Sequence, residues 1–369
     1  MTGEAARPCL VSVLIPAHDA QATLLQTLQS VQQQSFHDLE AIVVDDGSRD
    51  DTARIAADFA ARDTRFRLVR QANAGVAAAR NTGLAQSRGE WIAPLDADDL
   101  WHPDKLARQV RCATAAPSTT VLVYSWSVEI DEHSRITRRR LDLDRYEGNV
   151  YAALVLAVFI DNSSVPLVRR DALIAVGGWD GSLRARGAQG CEDWQLYLRL
   201  AEIGDFALAS GFLIGYRQTS GSMSRQVPQM TRSYDLIMAE ARSRHPELPA
   251  ELFRWSRAAF DFYRFELLRD AAAPLSRLRA LLSAVSGDPH WLRRRSTRQT
   301  LKRWLLSPLD GIRSRSATGT MPQGFYDASP EPPFEVTEGD YFEARRRSVS
   351  VLGTNRRTIG SDREAGLRS

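Results

Sequence analysis

The chain has little cysteine. Its three thiols, Cys9, Cys112 and Cys191, lie far apart and show no metal-ligand spacing. That argues against a disulfide-built scaffold or a thiolate metal site and fits a reducing compartment. Long apolar runs are missing too. The longest, Val150 to Ile160, falls well short of the roughly 20 residues that span a bilayer. Met1 to Pro8 lacks the apolar core of a secretory signal, so a soluble, cytoplasmic protein is expected. Charge of one sign does not dominate. A formal net charge of +3 over 369 residues makes no case for a nucleic-acid partner. No Gly-x-Gly-x-x-Gly follows the first predicted strand, where proline stands instead. The fingerprint of a Rossmann dehydrogenase or methyltransferase is therefore absent.

What is present is alternation. Val11 to Ile15, Ala41 to Val44, Phe66 to Val69 and Trp91 to Leu95 read as short buried strands. Helical spacing separates them, with Leu24, Leu25, Leu28 and Val31 in the first helix and Ile55 with Phe59 in the second. An Ala-rich helix runs from Gly75 to Gln86. The pattern predicts an α/β fold with a doubly wound, mostly parallel sheet and flanking helices. Further on, Pro103 to Ala115 is a predicted helix and Thr120 to Val128 a strand. Asn149 to Phe159 reads as an apolar helix, and Ser164 to Val168 as an edge strand because Pro166 cannot donate to a ladder. Cys191 to Ala201 is amphipathic, and Phe206 to Tyr216 extended. Thr231 to His245 and Leu252 to Leu282 form a C-terminal helical extension. The domains expected are 9–228 as the α/β unit, 229–306 as helices, and 307–369 as a disordered tail poor in apolar clusters.

Acids stand at the ends of three strands: Asp19, then Asp45 with Asp46, then Asp96, Asp98 and Asp99. In a parallel sheet these ends share one rim, where ligands bind. Crowded carboxylates raise one another's pKa unless a cation or arginine sits among them. A metal site holding a phosphorylated ligand is one reading, and an Asp-rich turn capping the next helix is the other. Asp99 suits the cap. A second acidic pair, Glu192-Asp193, opens a helix, where acids also complement the helix dipole.

Val11-Ser-Val-Leu-Ile-Pro16-Ala17, Val43-Val-Asp-Asp-Gly-Ser48, Asn73-Ala-Gly-Val-Ala-Ala-Ala-Arg-Asn81, Asp96-Ala97-Asp98, and Gly177-Gly-Trp-Asp180 with Glu192-Asp193-Trp194 occur in this order. Together they resemble the inverting glycosyltransferases of family 2, over roughly Cys9 to Ser224. The resemblance implies a GT-A-like fold, a nucleotide-sugar donor with UDP as the expected nucleotide, and a divalent metal, Mn²⁺ or Mg²⁺. It further implies a saccharide or lipid-linked acceptor, as in cell-surface polysaccharide synthesis. The alternative is a catalytically inactive nucleotide-binding scaffold or regulator, against which the intact acids count.

By that resemblance Asp98 is the main metal ligand, with Asp96 on the ribose or on metal through water. Hard oxygens suit such cations. Asp46 would accept from the nucleobase, or else form a turn before Gly47. Pro16, Ala17, Asp19 and Ala97 would line the nucleotide pocket, and Gly75 would let the backbone come close to it. Arg80 suits phosphate oxygens, with a surface salt bridge as the alternative. Asp193 would be the base that deprotonates the acceptor, with Glu192 supporting acceptor or loop. One departure stands out. Tyr216 to Ser224 carries Thr219 where relatives often have histidine, so Arg217 or Arg225 becomes a candidate for the diphosphate. Trp291 to Leu306 holds six basic residues and no acid. It suits either a peripheral membrane contact or a packed or solvated helix.

Overall fold

In the computed structural model, β1 (Val11–Ala17) and β2 (Leu39–Asp45) are buried along their whole length. Continuous apolar runs of this kind belong to strands covered on both faces. α1 (Leu24–Gln32) connects them. α2 (Thr52–Ala60) leads to β3 (Phe66–Arg70), and α3 (Val76–Gln86) leads to β4 (Trp91–Pro94). These strands pair in parallel in the order β3-β2-β1-β4. Their C-terminal ends therefore lie along one edge, with Ala17 opposite Asp45. The residues described are 10–139, 145–218, 226–268, 274–289, 292, 298, 301 and 324–331.

The chain continues through β5 (Leu100–Trp101), α4 (Lys105–Ala115), β6 (Thr120–Ile130), β7 (Ile136–Arg139), α5 (Tyr151–Leu156), β8 (Leu167–Arg169), α6 (Arg170–Ala175), α7 (Ser182–Ala185), α8 (Glu192–Ile203) and β9 (Asp205–Arg217). The sheet extends from β4 through β8, β6 and β9 to β5, with β7 on β6. β8 runs antiparallel to both its neighbours, whereas β9 is parallel to β6. α9 (Val227–Arg244), α10 (Ala250–Leu267) and α11 (Pro274–Gly287) follow. The α/β sheet with flanking helices and a helical extension is thus the expected architecture.

Several expectations change in detail. β8 is an interior strand, not an edge. Pro166 precedes its paired residues, so its missing N–H falls outside the ladder. The helix expected over Asn149 to Phe159 is only α5, and the charged stretch before it, to which the sequence assigned no element, contains β7. Leu252 to Leu282 divides into α10 and α11, with Ala271 to Ala273 outside the described residues. Most of the basic stretch 291–306 also lies outside them, as does Arg225. So does most of 307–369, but residues 324–331 are described and packed. Phe325 is 3% exposed, in a cluster with Leu100, Trp126, Val128, Ile130 and Phe212. Among the described residues no helix is long and apolar enough to cross a membrane.

Candidate active site

The rim is tied together by backbone. The Asp46 N–H donates to the Ala17 carbonyl at 2.8 Å, one residue past buried Pro16. Asp45 and Asp46 then separate in role. Asp45 accepts from the Ser48 N–H at 3.0 Å and from Arg70 at 3.2 Å, which is the Asx turn before Gly47. The Asp46 carboxylate instead accepts from the Ala74 and Gly75 N–H groups, both at 2.8 Å, and from Gln71 at 2.7 Å. It fastens the loop before α3, with unfilled lone-pair capacity on Oδ2. Gly75 has φ of 92°, and a Cβ there would lie 2.9 Å from Arg184, so only glycine fits. Asp19 is half exposed and accepts from the Arg49 N–H. His18, to which the sequence assigned no part, contacts the Asp46 carbonyl at 3.0 Å and the Asn73 side chain.

β4 runs out into Asp96-Ala97-Asp98-Asp99. Thr23 and Thr27 of the α1 region both donate to the Ala97 carbonyl, at 2.9 and 3.0 Å. Asp96 has both oxygens in use, from Arg80 at 2.6 Å and Ser163 at 2.8 Å. Asp99 does not cap a helix, since α4 begins only at Lys105. Its fully buried carboxylate accepts from Ser164 at 2.6 Å and from the Arg217 N–H at 2.9 Å. Burial and the neighbouring Asp98 and Asp96 push its pKa well up, against those two donors. Arg217, 1% exposed, is likewise not turned toward a ligand. Its guanidinium donates to the Asp98 and Asp131 carbonyls, to Gln26 and to Ser134.

The second acidic centre meets the first through one side chain. Arg80 donates to Asp193 at 3.0 Å as well as to Asp96, and to Ser163. Burial alone would favour its neutral form, but the carboxylates of Asp193 and Asp96 outweigh that and hold it charged. The guanidinium is therefore part of a buried ion-pair network with both carboxylates and not a surface salt bridge. Asp193, in the first turn of α8, also accepts from the Trp179 indole at 3.2 Å through the same Oδ1. Burial, then Asp96 and Glu192, raise its pKa to about 6 despite Arg80. Glu192 folds back to accept from the Gly190 N–H at 2.7 Å, so it supports the loop. Trp194 donates to the Leu154 carbonyl and belongs to the core.

Three contributors were given no site role by the sequence: Ser163, Ser164 and Trp179, although Trp179 lies within the Gly177-to-Asp180 motif. The serines end the polar run Asp161-Asn-Ser-Ser164 between apolar stretches, and only their position beside the acidic loop gives them a role. Ser164 accepts from the Asp96 N–H while donating to Asp99. Ser164→Ala should leave a buried carboxylate oxygen without its donor. A loss of about 1–3 kcal/mol is expected, read as a lower urea midpoint at unchanged slope.

The donor set fits a hard divalent cation. The Asp98 carboxylate is pushed up to about 6 by burial and by Asp96. Among the described residues no hydrogen-bond donor from another residue reaches it. No group of three His, Cys, Asp or Glu stands ready to hold a metal ion among those residues. Cations such as Mg²⁺ are commonly held by one or two carboxylates with substrate phosphates completing the shell, so such a cage is not required.

A family model described as Glycosyl transferase family 2 matches residues 12–176. The chain is 33% identical over 134 residues to a putative glycosyltransferase EpsH of Bacillus subtilis, covering 36% of this chain and 37% of that one. It is 29% identical over 199 residues to chondroitin synthase of Escherichia coli, covering 53% of this chain and 27% of that one. Among solved structures, S. aureus TarS 1–349 in complex with UDP-GlcNAc superposes with a TM-score of 0.47 at 14% identity, over 77% of this chain and 92% of that one. The chain thus spans well under half the length of these curated relatives.

Proposed function

Because residues 12–176 match the model of glycosyl transferase family 2, we propose that this protein is a metal-dependent inverting glycosyltransferase. It moves a sugar from a nucleotide-sugar donor, a UDP-sugar on this reading, to a saccharide or lipid-linked acceptor in cell-surface polysaccharide synthesis. The observation that carries the reading is the buried Arg80 guanidinium holding Asp96 and Asp193 at once. It supports one cleft with a donor side and an acceptor side. The relative named chondroitin synthase supports the polysaccharide setting.

Asp98, with Asp96 beside it, would hold Mn²⁺ or Mg²⁺. A divalent cation bound there would supply Lewis-acid stabilisation of the charge that gathers on the diphosphate. The chain's own residues do the rest. Ala17, Asp46 and Gly75 form the nucleotide end of the rim, with Asp19 at its mouth. Arg80 fixes the separation of the two acidic centres. Asp193 Oδ1 is held by Arg80 and Trp179, which leaves Oδ2 to take the proton of the acceptor hydroxyl as it attacks. Glu192 accepts from the Gly190 N–H, which suits it to holding the loop, and a single base at Asp193 would suit direct displacement with inversion.

A thermal-shift panel of nucleotide sugars, with and without Mn²⁺, tests the donor assignment. Binding to the native state raises the melting temperature by mass action. The expected hit is a UDP-sugar whose shift requires Mn²⁺. A flat panel across all nucleotides would remove the reading.

A further inference from the structure

Residues 324–331 lie more than a hundred residues beyond β9, yet they pack against the turn at Ser134 and a cluster that includes Leu100, two residues after Asp98. The Phe325 N–H donates to the Ser134 carbonyl at 3.0 Å, and the Phe212 N–H donates to the Pro330 carbonyl at 2.7 Å. Gly324 bridges to Arg135. Glu331 pairs with Arg108 of α4 at 2.6 Å. Between these tethers the Phe325 ring lies over Gly215 of β9, where a Cβ would come within 3.2 Å of it.

Two routes lead from this segment to the acidic loop. The first is apolar. Phe325 shares a cluster with Leu100, which pairs with Gly215 directly after Asp98-Asp99. The second is polar. Ser134, whose carbonyl Phe325 holds, receives a hydrogen bond at 3.2 Å from Arg217. The same guanidinium donates to the Asp98 carbonyl at 2.7 Å, and the Arg217 N–H to Asp99. Ser134 sits in the left-handed region, at φ of 61°. Its turn is strained backbone that needs outside contacts to persist.

We propose that segment 324–331 is a positioning element of the donor site, a strap that sets the Asp98-Asp99 loop through Leu100 on one side and Ser134–Arg217 on the other. This rests on the reading of Asp98 as a metal ligand in the one respect that the loop's function is donor binding. The strap contributes no group to the ligand itself. Its part is to narrow the range of positions open to Asp98, which a ligand must otherwise restrict on binding.

Phe325→Ala in the full chain tests it with two readouts. Without ligand, amide hydrogen exchange should accelerate in peptides covering 96–101 and at Arg217, beyond any change around Ser134 and Phe212. With ligand, the apparent affinity for UDP in the presence of Mn²⁺ should fall about tenfold, and Phe325→Leu should recover most of it. A segment that merely packs would change exchange only at its own contacts and leave UDP affinity intact, and that outcome overturns the proposal. Should Phe325→Ala fail to fold, Glu331→Ala on the exposed tether is expected to give the same two changes at smaller size, and no change in either would overturn it equally. If the wild type itself binds no UDP with Mn²⁺, the functional reading fails, while the exchange comparison still decides the strap.

Discussion

Asp193→Asn is expected to lower kcat by about 10²–10⁴-fold, the usual contribution of a positioned general base, with the donor KM little changed. Asparagine is the informative replacement. Its carbonyl oxygen can still accept from Arg80 and Trp179, which meet Asp193 at a single oxygen. Alanine would instead leave a buried arginine short of a partner, and a stability loss would mix with the catalytic one. The wild-type pH profile supplies an independent check. Asp193 must be ionised to accept a proton, and burial with its acidic neighbours raises its pKa to about 6. At saturating Mn²⁺ and donor, kcat/KM for the acceptor should therefore be flat above about pH 7 and fall tenfold per unit below about pH 6. An acid limb in the ordinary carboxylate range, near 4, would mean that the base is another group or that the cleft is wetter than the packing of Asp193 implies.

The legible parts of this fold and site share a cause. β1, β2 and β4 are continuous apolar runs, and their burial on both faces follows from local sequence alone. Parallel pairing then brings their acidic ends to one rim, which is how Asp46, Asp96 and Asp98 could be picked out before any contact was known. What escaped reading depends on distant partners. Asp99 looks like a helix cap until its acceptor role toward the Arg217 N–H is seen, 118 residues away. Arg80 shows its two carboxylate partners only once distant motifs are brought together. Arg217 suits a diphosphate until the Asp98 carbonyl, Gln26 and Ser134 account for its donors. Phe325 sits in a stretch too poor in apolar residues to form a core, and the surface that receives it belongs to β6, β9 and Leu100. Composition describes what a segment can bury by itself and is silent on what a preformed surface offers it.

Asp98→Ala should act in opposite directions on stability and on binding, and that pairing distinguishes a functional carboxylate from a structural one. The Asp98 carboxylate is partly buried, sits beside Asp96, and has its pKa raised to about 6 by burial and that neighbour. Its charged form is thus destabilised by its surroundings, whereas the carbonyl of the same residue carries the bond to Arg217 and survives the substitution. The ligand-free variant should melt no lower than wild type, and higher at pH 7 to 8, where wild-type Asp98 must be charged. The sign follows from linkage: a carboxylate whose folded pKa lies above its unfolded value costs stability as pH rises through that pKa. Functionally the change should be severe. A Lewis acid at a phosphoryl oxygen is worth several kcal/mol, and each 1.4 kcal/mol or so is a factor of ten in rate. Sugar-transfer kcat/KM should consequently fall at least about a hundredfold, and the Mn²⁺-dependent thermal shift with UDP should vanish. Asp45→Asn is the matching control, because Asp45 serves the turn at Ser48. It should lower the melting temperature while keeping the Mn²⁺-dependent shift. A ligand-free Asp98→Ala protein that melts well below wild type would identify Asp98 as part of the scaffold, and the same would follow if Mn²⁺ dependence survived the substitution.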